Sequence, residues 1–199
     1  ERPLGCRYCL PFKKGCDYCT RGVKEAYPGF KDLRTVADET LASLQAKQGE
    51  IDRITISGGG DPSCYPQFTE LIELLGSTEA PLHIGYTSGK GWDDPSVADL
   101  MIANGLSEIS FTVFATDPAL RKKYMHDPTP DASLAILERL CGAADVYAAD
   151  VVLPGINDGD VGAILRLALE RAPAVRGVHF QPAAYFGRHL PPPSAEERL

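Results

Sequence analysis

The chain has no stripe of basic residues: 20 Lys and Arg face 27 Asp and Glu, for a net charge of −7. A nucleic-acid binder normally carries clustered cations to meet phosphates, so that class starts at a disadvantage. Long apolar runs are missing as well. The longest, such as Val146 to Ile156, are strand-sized and punctuated, so no membrane span is expected. Repeats and low-complexity segments are absent apart from the proline-rich Leu190 to Pro193. What remains, at 199 residues with 44% hydrophobic and 24% charged content, is the material of one globular domain with a real core.

Against that ordinary background stands a dense cysteine cluster. Cys6, Cys9, Cys16 and Cys19 form two C-x-x-C pairs separated by the six residues Leu10 to Gly15. A C-x-x-C turn brings two sulfurs to one point, and a second turn completes a tetrahedral soft-ligand set. In a chain that reads as a cytoplasmic enzyme, such a set means metal rather than disulfide. Four thiolates suit zinc, a single iron or part of an iron–sulfur cluster, and spacing alone does not choose among them. Cys64 and Cys141 lie far from this quartet and read as small core or loop residues.

The remaining pattern alternates. Helical spacing over Leu33 to Gln48 is followed by a strand at Ile51 to Ser57, then by a helix over Pro66 to Leu75 and a strand at Leu82 to Thr87. Pro95 to Asn104 predicts a helix, Glu108 to Phe114 a strand, and Asp117 to Met125 a short helix. Asp131 to Cys141 predicts a helix capped by Asp131, Val146 to Leu153 a strand, Asp160 to Arg171 a helix and Arg176 to Pro182 the last strand. Strand–helix alternation demands a parallel sheet with right-handed crossovers. The fold class is therefore α/β, a partial (β/α)6 TIM-like barrel whose first strand is expected before Glu1. Both ends look cut: the chain starts at Glu1, and the capping box Ser194 to Glu197 opens a helix that stops at Leu199. The expected organisation is a metal-binding loop over 1–30, an α/β core over 31–190, and the start of a linker or helix over 191–199.

Parallel α/β sheets place their chemistry at the carboxyl ends of the strands. Small and polar residues gather there: Gly58, Gly59, Gly60 and Asp61, then Ser88 with Gly89, Lys90 and Gly91, Thr112, Asn157 and Gln181. Glycines let backbone approach a ligand closely, and Asp61 offers a carboxylate to an ammonium. The same residues also build ordinary tight turns. Asp61 with His83 or His179 would serve a zinc-stabilised hydrolase or isomerase, although a histidine within a strand is more often structural. A zinc-knuckle binding module is the third reading.

The cysteine loop followed by a strand and a Gly-Gly-Gly-Asp-Pro turn resembles the radical S-adenosylmethionine enzymes. The runs from Gly5 to Cys19, Ser57 to Asp61, Tyr86 to Gly91, Phe111 to Pro118 and Pro154 to Gly159 resemble one subfamily in particular. It comprises the cobalamin-dependent methyltransferases that act on an arginine of methyl-coenzyme M reductase in methanogenesis. The resemblance implies that Gly58, Gly59, Gly60 and Asp61 hold the methionine part of S-adenosylmethionine, with Asp61 where the family has Glu. It implies Ser88 and Thr112 as contacts to carboxylate or ribose, and Asn157 and Gln181 as contacts to adenine or ribose. The family's C-x-x-x-C-x-x-C cluster motif is absent from these 199 residues. The resemblance places the [4Fe–4S] ligands upstream, gives Cys6, Cys9, Cys16 and Cys19 a separate mononuclear iron, and puts cobalamin on a domain beyond Leu199. It implies radical abstraction of hydrogen from an arginine carbon, with the methyl group supplied by cobalamin. The implied partner is the α subunit of the reductase, with neither nucleic acid nor membrane. Tyr8, Tyr18 and Tyr27 are expected to pack the loop rather than to react.

Overall fold

The computed structural model describes residues 15–19, 31–47, 51–57 and 60–184. Five strands form one sheet in the order β1 (Ile54–Ile56), β2 (Leu82–Thr87), β3 (Leu106–Phe111), β4 (Asp145–Val152) and β5 (Val175–Pro182). Every neighbouring pair is parallel, as the alternation requires. The helices are α1 (Leu33–Ala46), α2 (Phe68–Gly76), α3 (Ser96–Ala103), α4 (Pro118–Leu120), α5 (Pro130–Leu140) and α6 (Val161–Glu170). Asp32 caps α1 by accepting from the Thr35 amide at 2.9 Å, which satisfies a donor with no partner inside the helix.

Period-two alternation decides which way each strand faces. Ile56, Leu82, Ile84, Ile109, Phe111, Val146 and Ala148 turn toward the helices and meet Phe68, Leu71, Ile72, Met101, Ile136 and Leu140 in the main core. The more exposed face carries polar side chains. There Arg53 donates to Glu108 at 2.8 Å, and His83 lies 3.3 Å from both Thr55 and Glu108. Burial holds the His83 imidazole below its ordinary pKa, against the pull of Glu108.

The structure shifts several expected boundaries, each for a local reason. The third strand ends at Phe111 rather than Phe114, because Phe114 takes a left-handed backbone (φ +63°) that no strand accommodates. Helix α5 starts at Pro130, preset for a first helical position, so Asp131 lies in the first turn and is not the cap. The helix expected over Asp117 to Met125 widens at Arg121 into a π-helical turn ending at Met125. Asp158 to Asp160 form a 3₁₀ turn ahead of α6. The sequence pattern also missed a 3₁₀ turn at Pro62–Cys64, which is too short to show periodicity. The helix start expected at Ser194 lies outside the described residues. Among the described residues no helix is long and apolar enough to cross a membrane.

Candidate functional site at the strand ends

The turn after β1 is organised by one carboxylate. Asp61 Oδ1 accepts from the Ser63 amide (3.0 Å), Ser63 Oγ (2.8 Å) and Thr87 Oγ1 (2.7 Å). Its Oδ2 accepts from the Ser88 amide (2.9 Å) and from the Ser88 hydroxyl. Five donors exceed the roughly four lone-pair sites of a carboxylate. Asp61 thus clamps the β1 turn to the end of β2. The carboxylate expected to meet a ligand ammonium is met here by these donors from the chain itself. Ser88, buried where Asp61 is half-buried, donates its hydroxyl to Asp61. His83 bonds elsewhere, against Thr55 and Glu108, so the structure gives Asp61 and His83 different partners rather than one acid–base pair.

A second bracket closes the ends of β3 and β4. Phe114 donates its amide to Asp150 Oδ1 at 2.6 Å and receives Asn157 Nδ2 on its carbonyl at 2.8 Å. Asn157 also donates to the Val151 carbonyl (2.9 Å) and accepts from the Leu153 amide (2.7 Å). A left-handed Phe costs roughly 1–2 kcal/mol, and these bonds hold it in place. The buried amide of Asn157, expected beside adenine or ribose, here bonds main chain at Phe114, Val151 and Leu153. Burial lifts the Asp150 carboxyl to about 6, opposed by the amides of Phe114 and Val113 and by Arg121.

Arg121 ties the two brackets together. Fully buried, it pairs with Asp127 at 2.8 and 3.2 Å and donates to the carbonyls of Ser88 (2.9 Å), Thr112 (2.8 Å) and Val113 (2.6 Å). Thr112, half-buried, lies beside the clamp through its amide bond to the Thr87 carbonyl at 2.7 Å. Gln181 stands apart, exposed on the sheet-edge strand β5 opposite Val151.

The cysteine loop sits on this platform. Its described part, residues 15–19, packs against a small second core of Phe114, Ala115, Met125 and Leu153. The Tyr18 ring stacks on Phe114 with centroids 4.9 Å apart and planes 7° from parallel. Burial, then the neighbouring Cys16, pushes the Tyr18 phenol well above its ordinary pKa. Asp17 donates its amide to the Tyr124 carbonyl and bonds the His126 ring, both at 2.9 Å. The Cys19 amide donates to the Cys16 carbonyl at 3.1 Å, closing the C-x-x-C turn. Lys90, from the turn after β2, reaches Cys16 Sγ at 3.1 Å and the Met125 carbonyl at 3.0 Å. In the sequence Lys90 shows only as a lysine between two glycines at a strand end; its partner lies 74 residues away. Cys6, Cys9, Gly58 and Gly59 lie outside the described residues, as do Tyr8 and Tyr27. Gly60 is described and half-buried beside Asp61.

Parallel strands, polar strand-end turns and a cysteine loop docked on them define an α/β scaffold with its candidate site at the carboxyl ends of the strands. The model of the Radical SAM superfamily matches residues 3–168, and the chain belongs to that superfamily. Membership implies S-adenosylmethionine and a [4Fe–4S] cluster as cofactors. The chain is 23% identical over 189 residues to the GTP 3′,8-cyclase of Microcystis aeruginosa, covering 89% of this chain and 52% of that protein. It is 40% identical over 47 residues to the 7,8-dihydro-6-hydroxymethylpterin dimethyltransferase of Methanocaldococcus jannaschii, covering 24% of this chain and 9% of that protein. The chain thus spans at most about half the length of these curated relatives. Among solved structures, Streptococcus suis SuiB bound to S-adenosylmethionine superposes with a TM-score of 0.64 at 13% identity, covering 92% of this chain and 39% of that one. The radical S-adenosylmethionine methyltransferase TsrM from Kitasatospora setae, with cobalamin and a [4Fe–4S] cluster bound, superposes at 0.66 and 17% identity, covering 91% and 35%. At such identities these likenesses show the fold.

Proposed function

We propose that this chain is part of a cobalamin-dependent radical S-adenosylmethionine C-methyltransferase acting on an arginine of methyl-coenzyme M reductase. The superfamily match supports the radical chemistry. The local identity to a pterin dimethyltransferase and the fold likeness to TsrM support methyl transfer with cobalamin. The five motif runs quoted above support the arginine target. The observation that carries the reading is the seating of the C-x-x-C turn of Cys16 and Cys19 on the carboxyl ends of the strands, with the Lys90 ammonium on Cys16 Sγ.

What supports a thiolate-bound metal is the cysteine pair within residues 15–19; among the described residues no three potential ligands converge, and Cys6 and Cys9 lie outside them. Two cysteines share a tight turn, and a buried cation faces one of them, the charge expected beside an anionic metal–sulfur centre. Cys6, Cys9, Cys16 and Cys19 would hold one iron, with the cluster ligands upstream and cobalamin downstream. The cluster, when bound, supplies the electron for cleaving S-adenosylmethionine. The protein's part is positioning. The backbone of Gly58 to Gly60 would approach the methionine portion, Thr112 and Gln181 would line the bed, and the Asp61 and Asn157 brackets would keep the strand-end turns rigid behind them.

The test is full-length protein purified without oxygen and assayed for iron and acid-labile sulfide. Release of 5′-deoxyadenosine and mass gain on an arginine peptide of the reductase complete it. One iron beyond the cluster stoichiometry, lost in Cys16→Ala while sulfide is unchanged, supports the assignment. Sulfide lost together with iron in Cys16→Ala would make Cys16 a cluster ligand instead, and an unmodified peptide would remove the arginine target.

A further inference from the structure

The geometry points to Lys90 as the residue that positions and tunes the metal held by the cysteine loop, an inference that rests on the metal-binding reading just given. Lys90 is only 1% exposed, and burying an ammonium is costly unless an acceptor of matching charge meets it. Among the described residues it meets Cys16 Sγ at 3.1 Å and the Met125 carbonyl at 3.0 Å. The Cys16 sulfur itself lies 3.7 Å from that same carbonyl, so lysine, sulfur and carbonyl form one triangle.

That triangle is enforced from both sides. On the lysine side, Gly89 has φ +74°, and a Cβ there would stand 3.0 Å from the Phe111 ring. A Cβ on Gly91 would stand 1.7 Å from the Ser63 carbonyl oxygen. Only glycines fit on either side of Lys90, and the Asp61–Thr87–Ser88 clamp fixes the strand end from which the turn leaves. On the loop side, the Tyr18–Phe114 stack, the Asp17–Tyr124 amide bond and the Asp17–His126 contact hold Cys16 in register. Two glycines and a left-handed Phe thus frame the contact between Lys90 and Cys16. A charged donor on a metal-bound thiolate withdraws negative charge from the centre and orients the ligand, the usual work of an outer-sphere partner. Lys90 is a positioning residue: it acts on the metal through Cys16.

The experiment loads full-length protein anaerobically with Fe(II) and compares wild type with Lys90→Met, Lys90→Gln, Lys90→Arg and the exposed control Lys47→Met. The readouts are the rate of iron release to a chelator, the sulfur-to-iron charge-transfer absorption of the ferric form, and the direction of the shift in reduction potential. Lys90→Met is expected to release iron about 10- to 100-fold faster, with a lower potential and a displaced charge-transfer band. Lys90→Gln should fall between Lys90→Met and wild type because it keeps a neutral donor, Lys90→Arg should recover most of the retention, and Lys47→Met should match wild type. Should Lys90→Met not fold, the ordering of the Gln and Arg variants decides the question. Release rates and spectra within twofold of wild type in every folded Lys90 variant would overturn the role of Lys90 while leaving the metal site standing. A wild type whose iron content is unaffected by Cys16→Ala would overturn the metal reading itself, and the role of Lys90 with it.

Discussion

Two buried cations lie near each other at the strand ends and are used in opposite ways. Arg121, at the root of the π-helical turn, pairs with the buried Asp127 and spreads its remaining donors over three carbonyls from β2 and β3 ends. Lys90, in the turn after β2, points up at a cysteine sulfur of the incoming loop. The planar guanidinium, with five donors in a fixed fork, suits a hub that stitches backbone together. The ammonium is a compact charge on a flexible stem and suits a single charged acceptor. One region is the frame and the other is the working surface, and the choice of Arg or Lys already marks which is which.

The comparison breaks most sharply at the hub. Arg121→Met leaves Asp127 buried without its partner and three carbonyls short of a donor, and should cost about 3–5 kcal/mol of stability in a denaturant titration. Asn157→Leu unpairs the Leu153 amide and the carbonyls of Phe114 and Val151, for an expected loss of about 2–4 kcal/mol. It should also release Phe114 from its left-handed backbone, seen as earlier proteolysis between Phe111 and Asp117.

Asp150 sharpens the comparison through pH. Its folded pKa of about 6 lies above the ordinary value of about 3.9 for Asp, so the native state binds the extra proton between these limits. Its contribution therefore favours folding at low pH and is lost as pH rises through about 6, by about 2–3 kcal/mol across the window. Asp150→Asn should flatten that part of the stability–pH profile. A profile unchanged by the substitution would show that the carboxylate ionises without penalty. The smallest effect is expected at the working surface: Lys90→Met in metal-free protein should change stability by no more than about 1.5 kcal/mol, since losing a buried charge offsets losing its contacts. A loss as large as that of Arg121→Met would make Lys90 part of the frame.

Much of this arrangement is written locally. The Leu82 to Thr87 strand falls where the sequence pattern puts it, and the other four strands and the main helices lie within a few residues of expectation. Burial on one face imposes a period of two or 3.6, which short windows reveal. The strand-end glycines and the two C-x-x-C pairs were equally legible, because turns and metal loops depend on neighbours in sequence. Boundaries failed where a distant partner overrode local pattern: Phe114 reads as a strand residue until Asp150 and Asn157, from the next βα unit, fix its backbone.

The candidate site divides along the same line. Asp61 and Asn157 were found as polar residues at strand ends, but their partners were not legible. Asp61 spends its oxygens on Thr87 and Ser88, 26 and 27 residues away, and Asn157 reaches back 43 residues to Phe114. By itself the sequence determined the parallel α/β class and the gathering of small and polar residues at the strand ends. Tertiary structure alone decided which polar groups are spent on the frame, and that Lys90 meets Cys16 across 74 residues. The reason is physical. Periodicity and turn chemistry act between neighbours, whereas the pairing of a buried charge is settled only when separate turns converge at one end of a sheet.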